Sequence, residues 1–204
     1  MTVTMARLIN VIVLLIVGTI PILFAAVQPW VWSLYSLLML IAFVLALWDM
    51  EEPSPTDQEG YLNKMVFGFL LWTLFLCLPL PYQTFAFLSP KRWAILSDTG
   101  KLNGAPPYLE TLSYLPKDAL GWWIFLLSLS LFYILVRRLC ANRRGLKGLV
   151  FVMIGVGLLE SLYGLMQALV PSMGVLWENR IVDYMGSARG TFINRNHLAG
   201  FLEM

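Results

Sequence analysis

Long apolar runs, separated by shorter polar segments, set the pattern of this chain. Five runs are almost free of charge, and they cover residues 8–27, 31–47, 65–80, 120–136 and 148–170. A helix needs about 20 apolar residues, within a range of roughly 17–25, to cross a bilayer. The third run is the shortest, and it spans if the bilayer thins locally. The pattern therefore predicts five complete spans and the start of a sixth near Leu198.

These runs predict an all-α fold, a polytopic transmembrane helical bundle. A membrane barrel would instead show alternating segments of about ten residues. The first run is long for a signal peptide and no A-x-A cleavage pattern follows it, which favours a retained anchor. The composition agrees, with 59% hydrophobic and 13% charged residues, against about 25% charged residues in soluble domains. We interpret 1–204 as a single membrane domain, apparently the N-terminal part of a larger transmembrane protein.

The placement of basic residues predicts the orientation. The connection between the fourth and fifth runs is the densest basic cluster: Arg137, Arg138, Arg143, Arg144 and Lys147. Such a cluster marks the cytoplasmic side, and contact with anionic membrane lipid explains it better than a nucleic-acid partner does. Counting spans from this cluster places the N-terminus and 49–64 in the cytoplasm, although 49–64 carries only one basic residue, Lys64. We therefore expect a multi-pass protein of the bacterial inner membrane, with 81–119 and 171–197 in the periplasm.

The longest predicted outer loop, 81–119, contains a helix-start signal. Ser89 suits the N-cap and Pro90 the first helical position. Trp93 follows among Lys91 and Arg92, so the pattern predicts a short helix on the membrane surface.

A polar stripe interrupts the fifth run. Glu160, Tyr163, Gly164 and Gln167 fall on one face at helical spacing. An ionisable group at this depth is costly unless it faces protein or water. The stripe is either an interhelical hydrogen-bonding contact or the lining of a ligand groove, with Gln167 close to the outer surface.

The predicted outer segment 171–197 ends in a cluster of polar side chains. It holds Arg189, Asn194, Arg195, Asn196 and His197, directly before a new apolar helix. Arginine binds phosphate oxygens in a bidentate manner, and free amides at a helix N-terminus add donors for an anion. These residues suit a phosphorylated or polyhydroxylated ligand at the membrane surface; the alternative is a capped helix start with snorkelling arginines. No metal site is expected, because no further ligand stands at zinc-site spacing from His197.

Residues 189–199, with the sequence RGTFINRNHLA, resemble the signature of the O-antigen ligase and O-antigen polymerase superfamily. The preceding stretch 159–167 is similar to the helix before that signature, and 78–90 resembles the first outer loop of those proteins. The resemblance covers roughly residues 78–204.

The resemblance implies metal-independent, inverting glycosyl transfer on the periplasmic face, without a cofactor. The donor would be an undecaprenyl-pyrophosphate-linked saccharide, and the acceptor another lipid-linked saccharide, lipid A-core or a protein. The resemblance implies catalytic roles for Arg189 and His197, with Arg189 facing the pyrophosphate, and substrate contacts from Glu160, Gln167, Asn194, Arg195 and Asn196. Members of the superfamily continue with further helices and a large periplasmic loop, so we expect these residues to be inactive as a fragment alone. A transporter or flippase component and a structural membrane subunit are the competing hypotheses.

Overall fold

Helices make up nearly all of the regular structure in the computed structural model, which describes residues 3–23, 28–48, 57–103, 108–170, 172–176 and 186–204. Four of them are long and apolar enough to cross a membrane: α2 (Pro29–Leu47), α3 (Asp57–Cys77), α6 (Pro116–Cys140) and α7 (Arg143–Leu169). A shorter apolar helix, α1 (Val3–Thr19), precedes them. The all-α class and the multi-pass membrane character are therefore confirmed.

The helix bounds differ from the apolar runs at several ends. The first run, 8–27, is helical only as far as Thr19, and residues 20–23 form a turn. The helix ends before the residue that precedes Pro21, a position where proline disfavours the helical conformation. The helix of the third run begins earlier than predicted, at Asp57, and the helix of the incomplete sixth run, α8 (Arg195–Leu202), begins three residues before Leu198.

The chain divides into two compact units, Met1–Glu51 with Ser128–Met204 and Glu52–Leu127. In the first unit, α1 packs against α2 and α7. One buried cluster joins three helices near one end: Ile9, Val13, Ala42, Ala46, Leu135 and Leu139. A second cluster continues toward the other end: Ile16, Val31, Tyr35 and Met39. The small side chains of Ala42 and Ala46 let the helices approach closely without a hydrophobic force between them.

The direction of packing in the first unit agrees with the predicted alternation of sides. Early α1 residues meet late α2 residues, so these helices are antiparallel. Arg138, at the end of α6, donates from Nη1 to the Ala46 carbonyl at 3.5 Å. The start of α1, the end of α2 and the α6–α7 turn therefore lie at the same end of this unit. That this end is cytoplasmic stays a prediction.

The second unit contains a small hairpin that the sequence analysis did not anticipate. Strand β1 (Pro79–Pro81) pairs antiparallel with β2 (Leu109–Thr111), with Leu80 opposite Glu110. Two of the three β1 residues are prolines, which cannot donate to a sheet and are confined to edges. This composition hid the strand from a propensity argument.

Helices α4 (Tyr82–Leu88) and α5 (Pro90–Asn103) lie between these strands in sequence. As predicted, α5 starts at Pro90, and the Trp93 amide donates to the Ser89 carbonyl. Trp93 then packs on the rings of Tyr82 and Phe85, with ring centroids 5.8 and 6.5 Å away. The tryptophan face of the predicted surface helix is therefore turned toward α4, while Ile95 is exposed. Its position relative to the membrane surface stays a prediction.

Candidate functional site

The predicted polar stripe of α7 exists and faces inward. Glu160, Gly164 and Gln167 are buried, and the two polar side chains are each only 2% exposed. The opposite face of α7 carries exposed leucines, among them Leu158 and Leu162. A spanning helix that turns polar side chains inward and apolar ones outward follows the rule for a membrane interior.

The segment 186–194, which we call the motif segment, covers this stripe. A methyl group built on Gly164 would lie 3.4 Å from the Gly190 nitrogen and 3.6 Å from the Ala188 side chain. It would also lie 3.3 Å from Leu198, the buried residue of α8. Gly164 therefore provides the close approach that the glycine in the stripe predicted, and the neighbour is the chain's own motif.

Gln167 holds the motif segment through all of its amide groups. Its Oε1 accepts from the Arg189 backbone N–H at 2.9 Å, and its Nε2 donates to the Gly190 carbonyl at 2.9 Å. The same nitrogen donates to the Gly174 carbonyl at 3.0 Å, where the Tyr163 hydroxyl also donates. An amide side chain has two donors and one strong acceptor group. The Gln167 amide therefore pairs with the motif backbone as a neighbouring strand would.

Glu160 holds the next residue of the motif segment. The Thr191 backbone N–H donates to Glu160 Oε2 at 2.8 Å, and the Thr191 hydroxyl oxygen lies 2.7 Å from Glu160 Oε1. The same hydroxyl lies 2.7 Å from the Pro21 carbonyl oxygen, in the turn that follows α1. Thr191 therefore ties α7, the turn after α1 and the motif segment together.

Gly190 has to be glycine for this contact. Its φ of 60° lies in the left-handed region, which side chains other than glycine disfavour. A Cβ at this position would also overlap Glu160 Oε2. The glycine of the predicted signature thus has a physical role in the structure.

Arg189, predicted to face a pyrophosphate, is 5% exposed. Its Nε donates to the Ser187 hydroxyl at 2.7 Å, and its Nη1 donates to the Ile193 carbonyl at 2.7 Å. The side chain therefore spans the turn from 187 to 193 and fixes its shape. Its burial and its partners could not be read from the sequence, since an arginine before a helix is usually exposed.

The last four residues of the predicted site have the opposite environment. Asn194, Arg195, Asn196 and His197 are all exposed. Asn194 is the N-cap of α8, and its Oδ1 accepts from the Asn196 backbone N–H at 2.9 Å. The capped helix start that we weighed as an alternative is present, and it leaves the Arg195, Asn196 and His197 side chains open to a ligand.

The seven predicted site residues therefore form two layers. Glu160, Gln167 and Arg189 are buried and bonded to the chain itself, whereas the residues around the α8 start are exposed. Sequence reasoning did not single out Thr191, although it lies between the predicted Arg189 and Asn194. The signal for it was the acidic residue in α7, which required a donor. Within the described ranges, no three His, Cys, Asp or Glu side chains are grouped as a metal site.

The chain matches no protein-family model, no curated protein and no solved structure. Membership of the O-antigen ligase superfamily is therefore a proposal that rests on the residues quoted above.

Proposed function

We propose that this chain belongs to a membrane glycosyltransferase that polymerises or ligates undecaprenyl-pyrophosphate-linked saccharides at the periplasmic face of the bacterial inner membrane. The acceptor would be a second lipid-linked saccharide, lipid A-core or a protein. In a full-length protein of this superfamily, the present residues would supply part of the site.

The observation that carries the proposal is the exposed group at the start of α8. Arg195 and His197 stand beside Asn194 and Asn196 at the end of the first unit that also holds the Pro21 turn. This end is opposite to the basic α6–α7 turn, since Pro21 follows α1 and Arg138 lies near its start. A lipid-anchored donor presents its pyrophosphate at the membrane surface, next to such a group.

The chemistry of the exposed group suits a departing pyrophosphate. Glycosyl transfer from a pyrophosphate needs stabilisation of the leaving negative charge and deprotonation of the acceptor hydroxyl. Arg195 offers a planar set of donors to phosphate oxygens. His197 can hold or accept a proton near neutral pH, while the asparagine amides can bond saccharide hydroxyls.

Arg189 enters the proposal from inside the motif segment. Its bonds to Ser187 and Ile193 shape the turn that leads into Asn194. A direct contact between Arg189 and a pyrophosphate stays a prediction.

A non-catalytic membrane subunit is the second candidate, and one observation favours it. Both Glu160 oxygens and every Gln167 amide group bond to the chain itself. A polar stripe used in this way stabilises a fold and needs no substrate. This candidate predicts that the exposed side chains of α8 can be changed without a loss of product.

The test is complementation of a deletion strain of the source bacterium with the full gene. The variants Arg195→Ala and His197→Ala should reach normal protein levels but lose polymer or ligation product, and the lipid-linked donor should accumulate. The control is Glu203→Ala, at an exposed position just after α8. Normal product from the double variant would rule out the enzyme proposal. Accumulation of the donor on the cytoplasmic side would instead support a transporter.

A further inference from the structure

The proton count around Thr191 is the observation from which a further inference follows. Its hydroxyl oxygen is 2.7 Å from the Pro21 carbonyl and 2.7 Å from Glu160 Oε1. Both distances lie at the usual value for a two-centre O–H···O bond. Each such bond needs its own proton between the oxygens, so two protons are required.

The Thr191 hydroxyl supplies only one of these protons. A carbonyl oxygen accepts and never donates, and an ionised carboxylate also only accepts. Proline at position 21 cannot supply the missing proton. The remaining source is the Glu160 carboxyl group.

We infer that Glu160 is a neutral carboxylic acid whose Oε1–H donates to the Thr191 hydroxyl, which in turn donates to the Pro21 carbonyl. The other oxygen, Oε2, is then the carbonyl oxygen, and it accepts from the Thr191 backbone N–H at 2.8 Å. Every polar atom in this chain of bonds then has the role that its chemistry allows.

The surroundings of Glu160 favour the same state. The residue is 2% exposed, in the middle of an apolar spanning helix. In the part of the chain that the structure describes, the printed partners of its carboxyl group are the uncharged Thr191 groups, and no ion pair involves it. An ionised carboxylate without a cation is costly in such a place.

The neighbouring contact one turn along α7 has the same chemical pattern. Gln167 presents one donor and one acceptor to the backbone of Gly190 and Arg189. A neutral Glu160 presents one donor and one acceptor to Thr191. The two side chains therefore act as a pair of uncharged clamps on the motif segment, and Glu160 is a positioning residue that carries no charge. This inference does not depend on the proposed glycosyl transfer.

Substitutions separate a neutral acid from a carboxylate. Glu160→Gln keeps the donor and the acceptor in the same shape, so it should retain the thermal stability of the wild-type chain in detergent. Glu160→Ala should lower the unfolding temperature. Thr191→Ser should resemble the wild type and Thr191→Val should resemble Glu160→Ala, because valine keeps the shape of threonine without its hydroxyl. An unfolded Glu160→Gln variant, or one as unstable as Glu160→Ala, would overturn the inference.

Infrared spectroscopy gives a direct readout that does not depend on these stabilities. At neutral pH the full chain should show the carbonyl stretching band of a protonated carboxyl group, and Glu160→Gln should lack it. The control variant Glu203→Gln, at an exposed site, should keep the band. Identical spectra for wild type and Glu160→Gln in the protonated-carboxyl region would mean that Glu160 is ionised and would overturn the inference.

Discussion

The Gln167 side-chain oxygen accepts a hydrogen bond from the Arg189 backbone N–H at 2.9 Å, across 22 positions of sequence. One of these residues belongs to the spanning helix α7 and the other to the motif segment. Two residues that the sequence marked for separate roles at a substrate site are thus parts of one contact, which fixes where the motif segment leaves α7.

Gln167→Ala tests the contribution of this contact. The variant leaves the Arg189 N–H and the Gly190 carbonyl buried without their partner, which costs about 1–3 kcal/mol for each such group. We expect a lower unfolding temperature in detergent and faster proteolysis between residues 187 and 194. The matched control is Gln83→Ala, since the exposed Gln83 amide donates only to the Tyr82 hydroxyl, at 3.2 Å. Equal stability of the two variants would contradict the prediction.

Gly190→Ala tests the close approach of the motif segment to α7. The left-handed backbone conformation alone costs an alanine about 1–2 kcal/mol, and the overlap of its Cβ with Glu160 Oε2 adds to this. We expect a clear loss of thermal stability. Gly200→Ala in α8 is the control, because a Cβ there meets nothing within 4 Å. Alanine in a helix gains up to about 1 kcal/mol over glycine, so the two substitutions should have opposite signs.

Arg92→Lys tests what holds the second unit together. The Arg92 guanidinium donates to the Thr111 carbonyl at 2.8 Å and to Glu110 Oε1 at 3.0 Å, and it lies 4.3 Å from the centroid of the Tyr114 ring. Lysine keeps the charge but loses the planar set of donors and the ring contact. We expect faster hydrogen exchange in 109–113 and a loss of about 1–3 kcal/mol.

Lys91→Ala is the control for that experiment, since Lys91 is the exposed neighbour on the same helix. Its variant should leave the exchange rates in 109–113 unchanged. Unchanged exchange in Arg92→Lys would show that the charge alone, without the guanidinium geometry, is sufficient.

Thiol labelling in intact cells tests the predicted orientation. Single cysteines are introduced at Ala141, in the basic turn, and at Gln83, in α4, after Cys77 and Cys140 have been replaced by alanine. Both introduced positions are exposed. A membrane-impermeant maleimide should label position 83 in intact cells and position 141 only after the membrane is opened. The reverse pattern would place the basic turn in the periplasm and would remove the basis for the proposed site.

The spans could be predicted from the sequence because membrane insertion depends on contiguous residues. Each run of apolar side chains lowers its own free energy in the bilayer, and a helix satisfies its own backbone within the same stretch. The inward face of α7 was predictable for a similar reason, since the helical repeat places Glu160 and Gln167 on one side. The β1–β2 hairpin was not, because its pairing joins residues some 30 positions apart through two proline-rich residues' worth of strand.

The sequence alone determined that this is a membrane protein of apolar helices, with a polar face on α7 and a polar cluster before α8. Only the tertiary structure decided that these two features bind each other, and that the motif divides into a buried part around Arg189 and an exposed part from Asn194 to His197. The physical reason is that a polar side chain in an apolar environment must find a partner, but the sequence does not say which distant segment provides it. Here Glu160 found Thr191, 31 positions away.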